Sequence, residues 1–260
     1  MSLPTRCVLA TFVLSLGCRP PEAPKDLDQL SSYMFGHVWD DDDTELQAGL
    51  SSLRTWLQNN LEETEEGFEV NNLDQEQVDT LDNCKRDVSG LLGAAVATRS
   101  DYKVPDMVRV SVDVPAVDVF ENVNHSKRLD FEPDKACYLD QECDRLQYRT
   151  LTDSDYALNI NIRSKNGIQH RWVETEEGMA NVYRSWLQKP AIISAEGWHV
   201  DTQFYVSATM PWQEGSIRLQ ATWAATEIEA LPVPESMALN LTISTMQKHD
   251  KAIAEYLGED

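Results

Sequence analysis

Apolar residues recur at every second position through much of the C-terminal half, and this period of two constrains the chain most. Val200, Thr202, Phe204, Val206 and Ala208 alternate with Asp201, Gln203, Tyr205, Ser207 and Thr209. Ile217, Leu219, Ala221, Trp223 and Ala225 alternate with polar neighbours in the same way. Tyr156, Leu158, Ile160 and Ile162 repeat the pattern, as do Val108, Val110, Val112 and Val114, and finally Leu239, Leu241 and Ile243. Successive side chains on a strand point to opposite faces, so each run offers one face to a core and one to water. That is the mark of an antiparallel sheet, because parallel strands covered on both sides read as continuous apolar runs. Lys165-Asn166-Gly167 is predicted to be a hairpin turn, since Asn-Gly accepts positive φ. Pro211 and Glu214-Gly215 bracket a second reversal.

Before the sheet the period is helical. Leu27, Leu30, Met34 and Val38 recur at three and four, as do Leu46, Leu50, Leu53, Leu57 and Leu61 with Trp56 beside them. Asp42 with Glu45, and Asp74 with Gln77, have the spacing of capping boxes, and residues 67–70 read as a short extended turn. After the sheet, Met246, Asp250, Ile253 and Leu257 share a helix face, with Gly258 as a stop. The expected fold is α+β. A helical segment, residues 26–88, packs on a curved antiparallel meander of about seven or eight strands that a C-terminal helix closes, over 107–260. The stretch 89–106 is the best boundary, and the two parts form one compact unit. This element order resembles that of lipocalin-like barrels and helix-grip folds, in which a sheet wraps an apolar cavity.

Charge narrows the partners. Acidic residues number 44 against 22 basic, a formal net charge of −22. Phosphate binding needs clustered Lys and Arg, so nucleic acid is excluded as a partner, as is a basic patch on anionic lipid. With 42% hydrophobic residues the chain can build a core without a disulfide lattice or a metal.

The first residues carry an address. Arg6 precedes an apolar run from Cys7 to Gly17 that is too short to span a bilayer, which is the pattern of an export signal over residues 1–17. The run closes in Leu14-Ser15-Leu16-Gly17-Cys18, which resembles the lipobox of bacterial lipoproteins, with Ser15 at the position where that class usually has Leu. The resemblance implies cleavage before Cys18, acylation of its thiol, and a membrane partner reached through the lipid. An ordinary secretory signal or a buried apolar strand are the alternatives. Residues 18–25 hold Pro20, Pro21 and Pro24 and read as an extended tether. Arg19 stands where the lipoprotein class associates Asp with inner-membrane retention, which favours the outer membrane.

Cys84, Cys137 and Cys143 remain, and three thiols allow three single pairings. Cys137–Cys143 is favoured because the loop between them is short and polar; closing it would stabilise the fold by about 2–2.5 kcal/mol. No Cys-x-x-Cys and no ligand-spaced His suggest a zinc site, and the run Asp40 to Asp43 lacks the Gly that a calcium loop needs at its sixth position. Neither a metal nor a cofactor is expected.

Catalytic motifs are absent from the sequence: no Gly-x-Ser-x-Gly, Walker loop or His-Glu-x-x-His occurs. His199 and Asp201 fall two apart on one predicted strand, and Glu174, Glu176 and Glu177 cluster, but no catalytic residue is assigned. Tryptophan can stack on sugars or line an apolar pocket. Trp223 and Trp198 share the buried parity of their strands, which leaves Trp212, in the predicted turn, with Trp186 and Trp172 as ligand-binding candidates. The leading expectation is a non-catalytic, membrane-anchored binding or interaction module of the cell envelope. A carrier of a hydrophobic small molecule or lipid is the second reading, and a hydrolase using His199 and Asp201 the third.

Overall fold

The computed structural model describes residues 21–82, 87–156, 160–228 and 234–258, so the predicted leader, Cys18 and Cys84 lie outside the described residues. In chain order the elements are α1 (Leu27–His37), α2 (Thr44–Glu66), β1 (Phe68–Val70), α3 (Gln75–Asp79), β2 (Leu92–Ser100), α4 (Val104–Val112), α5 (Ala116–Val119), β3 (Val123–Glu132) and α6 (Lys135–Leu139). There follow β4 (Arg145–Tyr156), β5 (Ile160–Thr175), β6 (Gly178–Leu187), β7 (Ile192–Ile193), β8 (Trp198–Trp212), β9 (Gly215–Ile228) and α7 (Glu235–Gly258). The nine strands form one sheet in the order β1-β2-β9-β8-β6-β5-β4-β3, with β7 beside β5. Every pairing is antiparallel. This is the expected α+β architecture, an antiparallel sheet with helices before and after it.

One face of the sheet is covered by the N-terminal helices. Leu27, Leu30, Met34, Leu46, Leu50, Leu53 and Leu57 meet Val182, Trp186, Phe204, Val206, Leu219 and Trp223 in the largest core cluster. Phe35 sets its ring edgewise against Phe204 and Trp223, both centroids 5.9 Å away. Arg184, Arg171 and Arg145 rise from neighbouring strands to carbonyls in the last turn of α1 and in the bend after it. Arg184 donates to Phe35 O, Arg171 to Asp40 O and Arg145 to Asp41 O. The acidic run therefore opens on a bend whose carbonyls two guanidinium groups hold, while the third holds the last turn of α1. Burial pushes Arg184 down to about 10.

The opposite face is crossed by α4, α5, α6 and α7. Val104, Val108 and Val112 of α4 pack on Tyr138, Leu146, Tyr148 and Trp172, while Met107 and Val110 meet Ile253 of α7. Here the structure corrects the alternation read over Val108–Val114, which is helical. Both flanks of α4 are buried, so valines on each side mimic a strand, and Pro105 at its first turn starts a helix well. The short run Leu239–Ile243 is likewise helical. Ile243, Met246, Asp250 and Ile253 form the buried stripe of α7, and Leu241 is exposed.

Two further corrections concern the sheet. Asn166-Gly167 is no turn: it lies inside β5, where Gly167 pairs with Trp186. A Cβ there would come within 2.4 Å of the Trp186 indole, so the glycine serves close approach of a side chain. The chain reverses instead between Tyr156 and Ile160, inside the run read as one strand. Second, β2 occupies the stretch taken as a boundary, and β1 falls inside the helical segment. Ala94, Ala95, Val96 and Ala97 are buried on both faces, which removes the alternation that would have marked β2. The other reversal agrees: Trp212 pairs with Gly215, with Gln213 at φ 52°. The capping box of Asp74 and Gln77 forms, whereas Asp42 accepts from the Thr44 N–H in place of the predicted box.

Candidate binding site

The face under α7 carries the polar half of each alternating strand, and much of it is out of water. Cross-strand pairing aligns His170, Tyr183, Ser207, Gln220 and Val96 in one row across β5, β6, β8, β9 and β2. The adjacent row is Ile168, Ser185, Tyr205, Thr222 and Ala94. A third row, Trp172, Asn181, Thr209, Arg218 and Thr98, lies on the other side of the first. Alternation predicts a wet face here. The structure instead buries Ser207, Thr209, Arg218, Gln220 and Thr222 between sheet and helices.

Arg218 organises this floor. Its Nε donates to Ser207 Oγ at 2.9 Å, Nη1 to Asp250 Oδ1 at 2.9 Å, and Nη2 to the hydroxyls of Tyr183 and Tyr205, each at 3.0 Å. Asp250 comes from α7, and its other oxygen accepts from Gln220 Nε2 at 2.7 Å. Gln220 Oε1 in turn accepts from Tyr205 at 2.7 Å. Both ions of this pair are almost fully buried, so burial raises the Asp250 carboxyl against the pull of Arg218. Arg218 remains charged despite its own desolvation, because Tyr205, Asp250 and Tyr183 turn oxygen toward it. The pair ties the last helix to the middle of the sheet.

An aromatic file continues from this floor. Tyr205 lies 5.3 Å from Tyr183, Tyr183 stacks on His170 at 4.6 Å, and His170 on Tyr148 at 5.6 Å. His170 is buried beside Asn181 and the Tyr148 hydroxyl. Desolvation pushes it down to about 3, so it is neutral and unable to act as a base near pH 7.

Cover over this face is uneven. Ala94 and Val96 lie under Ile243 and Met246 of α7. Ile168, Tyr183, Ser185 and Tyr205 belong to the interior strands β5, β6 and β8, yet all four are only half-buried. On the other side of the same strands, Val182, Trp186, Phe204 and Val206 are at most 3% exposed. The contrast marks this part of the face, beside α7, as less completely covered than the other side of the same strands. Ile162, Ser164 and Asn166 of β5 extend the same half-buried face. Tyr156 follows on β4, 47% exposed, and partial desolvation raises its hydroxyl. The first turns of α7 add an apolar surface, with Met237 and Leu241 exposed beside Pro234, Ser236 and Asn240.

The residues singled out from sequence fall elsewhere. Trp172 and Trp186 are core residues, each 3% exposed, with indole N–H groups on Tyr138 O and Asp82 O. They are filled positions of the fold and not exposed ligand platforms. Trp212 is half-buried at the end of β8 under the Arg54 guanidinium, 5.7 Å from its ring. Trp223 is core and Trp198 half-buried. His199 and Asp201 are exposed, and a bulge between Val200 and Thr202 breaks their regular spacing, so they form no cleft. Cys137 and Cys143 sit at disulfide distance, with Cα atoms 5.4 Å apart, and flank the buried Tyr138. No group of three or more metal-ligating side chains occurs among the described residues.

Reading the sequence alone missed Arg218, Tyr183, Tyr205 and His170, because a polar residue on an alternating strand is expected in water. One signal was present: Asp250 interrupts the apolar stripe of the last helix, and a buried acid requires a partner.

No protein-family model matches the chain, and no curated protein matches it. Among solved structures it is similar to a STAR-related lipid transfer protein from Xanthomonas axonopodis, 14% identical with a TM-score of 0.43, over 66% of this chain and 96% of that one. It is similar also to a START superfamily protein from Mycobacterium smegmatis, 14% identical with a TM-score of 0.41, over 65% and 99%. A third is the Zhui aromatase/cyclase of a Streptomyces species, 12% identical with a TM-score of 0.38, over 65% and 93%. Likenesses this remote assign no function.

Proposed function

We propose that the partly covered face between α7 and strands β5, β6 and β8 forms a recess that holds an apolar small molecule or lipid, and that the protein is a binding protein and not a catalyst. The observation that carries this reading is the half-burial of Ile168, Tyr183, Ser185 and Tyr205 at the centre of a sheet whose other face is fully packed. Close packing is the rule inside proteins, and a gap over interior strands is where a ligand replaces missing side chains. Neutral, buried His170 and the exposed His199 supply no acid–base pair to the recess.

The same reading includes a membrane anchor. With Cys18 acylated and residues 19–25 extended, the globule would stand at a lipid surface, outer membrane favoured, within reach of apolar cargo. The tether's support is its proline content and the lipobox-like run.

The test has two arms. N-phenyl-1-naphthylamine, a neutral apolar fluorophore, should bind the full chain saturably, and Ser185→Trp, which fills the recess, should abolish that binding while the protein still unfolds cooperatively. Equal binding by the folded variant contradicts the site. For the anchor, mass spectrometry of the membrane fraction should find acyl mass on a peptide beginning at Cys18, and Cys18→Ala should release the protein. An unmodified leader would refute it.

A further inference from the structure

A lipid on Cys18 would fix more than a compartment, and this step rests on that reading of the leader. We infer that the sheet edge at β1 lies on the membrane, with Met237 and Leu241 of α7 seated among uncharged phospholipids.

The tether is short. Ala23 is 8% exposed and belongs to the core cluster under α1. It stands five residues on from Cys18, a reach of about 17 Å when fully extended. The body must therefore meet the lipid near the start of α1. There Asn71, the residue after β1, donates to Asp28 Oδ2 at 2.7 Å. β1 is the outermost strand of the sheet, beside β2, with β3 at the far edge.

The same edge carries exposed apolar side chains. On the other face of the sheet, Ile243 of α7 lies against Gly67, just before β1, where a Cβ would come within 2.7 Å of its Cγ2. Asp250, two turns on, meets Arg218, which pairs with Thr98 near the end of β2. Thus α7 runs antiparallel to β1, and its first turns reach back toward Val70 and Asn71. Met237 and Leu241 stand one turn apart there, 54% and 61% exposed. At 3.6 residues per turn, Leu241 falls opposite the buried stripe of Ile243, Met246, Asp250 and Ile253, and Met237 falls between Leu241 and Gln247. Gln247 donates to Glu65 O, beside β1, at 3.0 Å, so Met237 faces out on the β1 side. With Pro234 the pair makes an apolar patch that nothing in the fold covers, and a bilayer within the tether's reach would cover it. Glu22, Asp26, Glu69 and Glu235 are exposed around this edge, so anionic lipid would be repelled.

The experiment places the acylated chain, isotope-labelled at its methionine methyls, in phosphatidylcholine nanodiscs that carry a nitroxide-labelled lipid. Met237 should lose its signal, while Met179, which packs beside α4, keeps its own. Equal loss at the two overturns the orientation. Leu241→Gln, at an outward position, should leave the fold and the acylation intact yet lessen the loss at Met237; an undiminished loss overturns the apolar contact. Phosphatidylglycerol in place of phosphatidylcholine should lessen it as well, and equal loss overturns the lipid preference. Absence of acyl mass on Cys18 refutes the anchor and this inference with it, whereas an acylated chain whose Met237 keeps its signal refutes this inference alone.

Discussion

Arg218 on β9 and Asp250 on α7 meet at 2.9 Å, each almost fully removed from water, in an ion pair that joins the last helix to the centre of the sheet. Breaking a buried pair from one side leaves an uncompensated charge, at a typical cost of about 3–5 kcal/mol. Asp250→Ala should therefore lower unfolding stability by that order. Arg218→Met with Asp250→Leu together should lower it by less than Asp250→Ala alone. Urea unfolding of the three proteins checks both statements; equal stability of Asp250→Ala and the natural chain would contradict the first.

Gly167 is set by Trp186. A methyl group at 167 would lie 2.4 Å from the indole, so Gly167→Ala must displace a core tryptophan that donates to Asp82 O at 3.1 Å. Overpacking of this kind costs about 1–3 kcal/mol. In a Trp186→Leu background the same alanine should cost less, and the coupling read from the double-mutant cycle should be positive. Simple additivity would show that the two positions do not compete for the same space.

Acid should weaken the fold through two histidines. His170 is held down to about 3 by burial, and so is His249, whose Nδ1 is buried without a partner among the described residues and whose ring stacks on Phe120 at 4.1 Å. A histidine with a depressed folded pKa stabilises above its unfolded value near 6.5, and that contribution is lost as pH falls toward 3. Each should add a slope of about 1.4 kcal/mol per pH unit in that window. The raised carboxyl of Asp250 works in the opposite sense, since its protonation in the folded state relieves burial as pH falls. His249→Phe should flatten the acid limb by about one proton. Unfolding free energies at pH 5 and pH 7 test it, and an unaltered slope would contradict a neutral His249.

Pairing of Cys137 and Cys143 is favoured by sequence and by Cα atoms 5.4 Å apart. Replacing both with Ser should cost about 2–2.5 kcal/mol by the chain-entropy estimate. Tyr138 lies between them and contacts Trp172, whose indole donates to Tyr138 O at 2.8 Å. Trp172 should accordingly become more accessible to acrylamide in the double-Ser variant, and free thiols at both positions in the natural chain would refute the pairing.

How far the sequence was legible varies by element. α1 and α2 read correctly because Leu27 to Val38 and Leu46 to Leu57 bury one stripe and leave the other wet. The strands β8 and β9 read correctly because their core halves alternate strictly. α4 was mistaken because a short helix buried on two flanks shows valine at every second position, and β2 was missed because Ala94 to Ala97 are buried on both faces. The candidate site was nearly invisible. Alternation separates core from non-core residues, but it cannot tell a polar face in water from one roofed by α7, and Arg218, Tyr183 and Tyr205 fall in the second class. The tryptophans drew notice by size alone, and Trp172 and Trp186 turned out to fill the core.

A methyl-labelled NMR titration of the full chain with N-phenyl-1-naphthylamine locates the binding face. Saturable shifts are expected at Ile162 and Ile168 on the recess face of β5, with little change at Leu219 or Val206 on the packed face. Shifts confined to the packed face, or none at Ile168 at saturating probe, would contradict it.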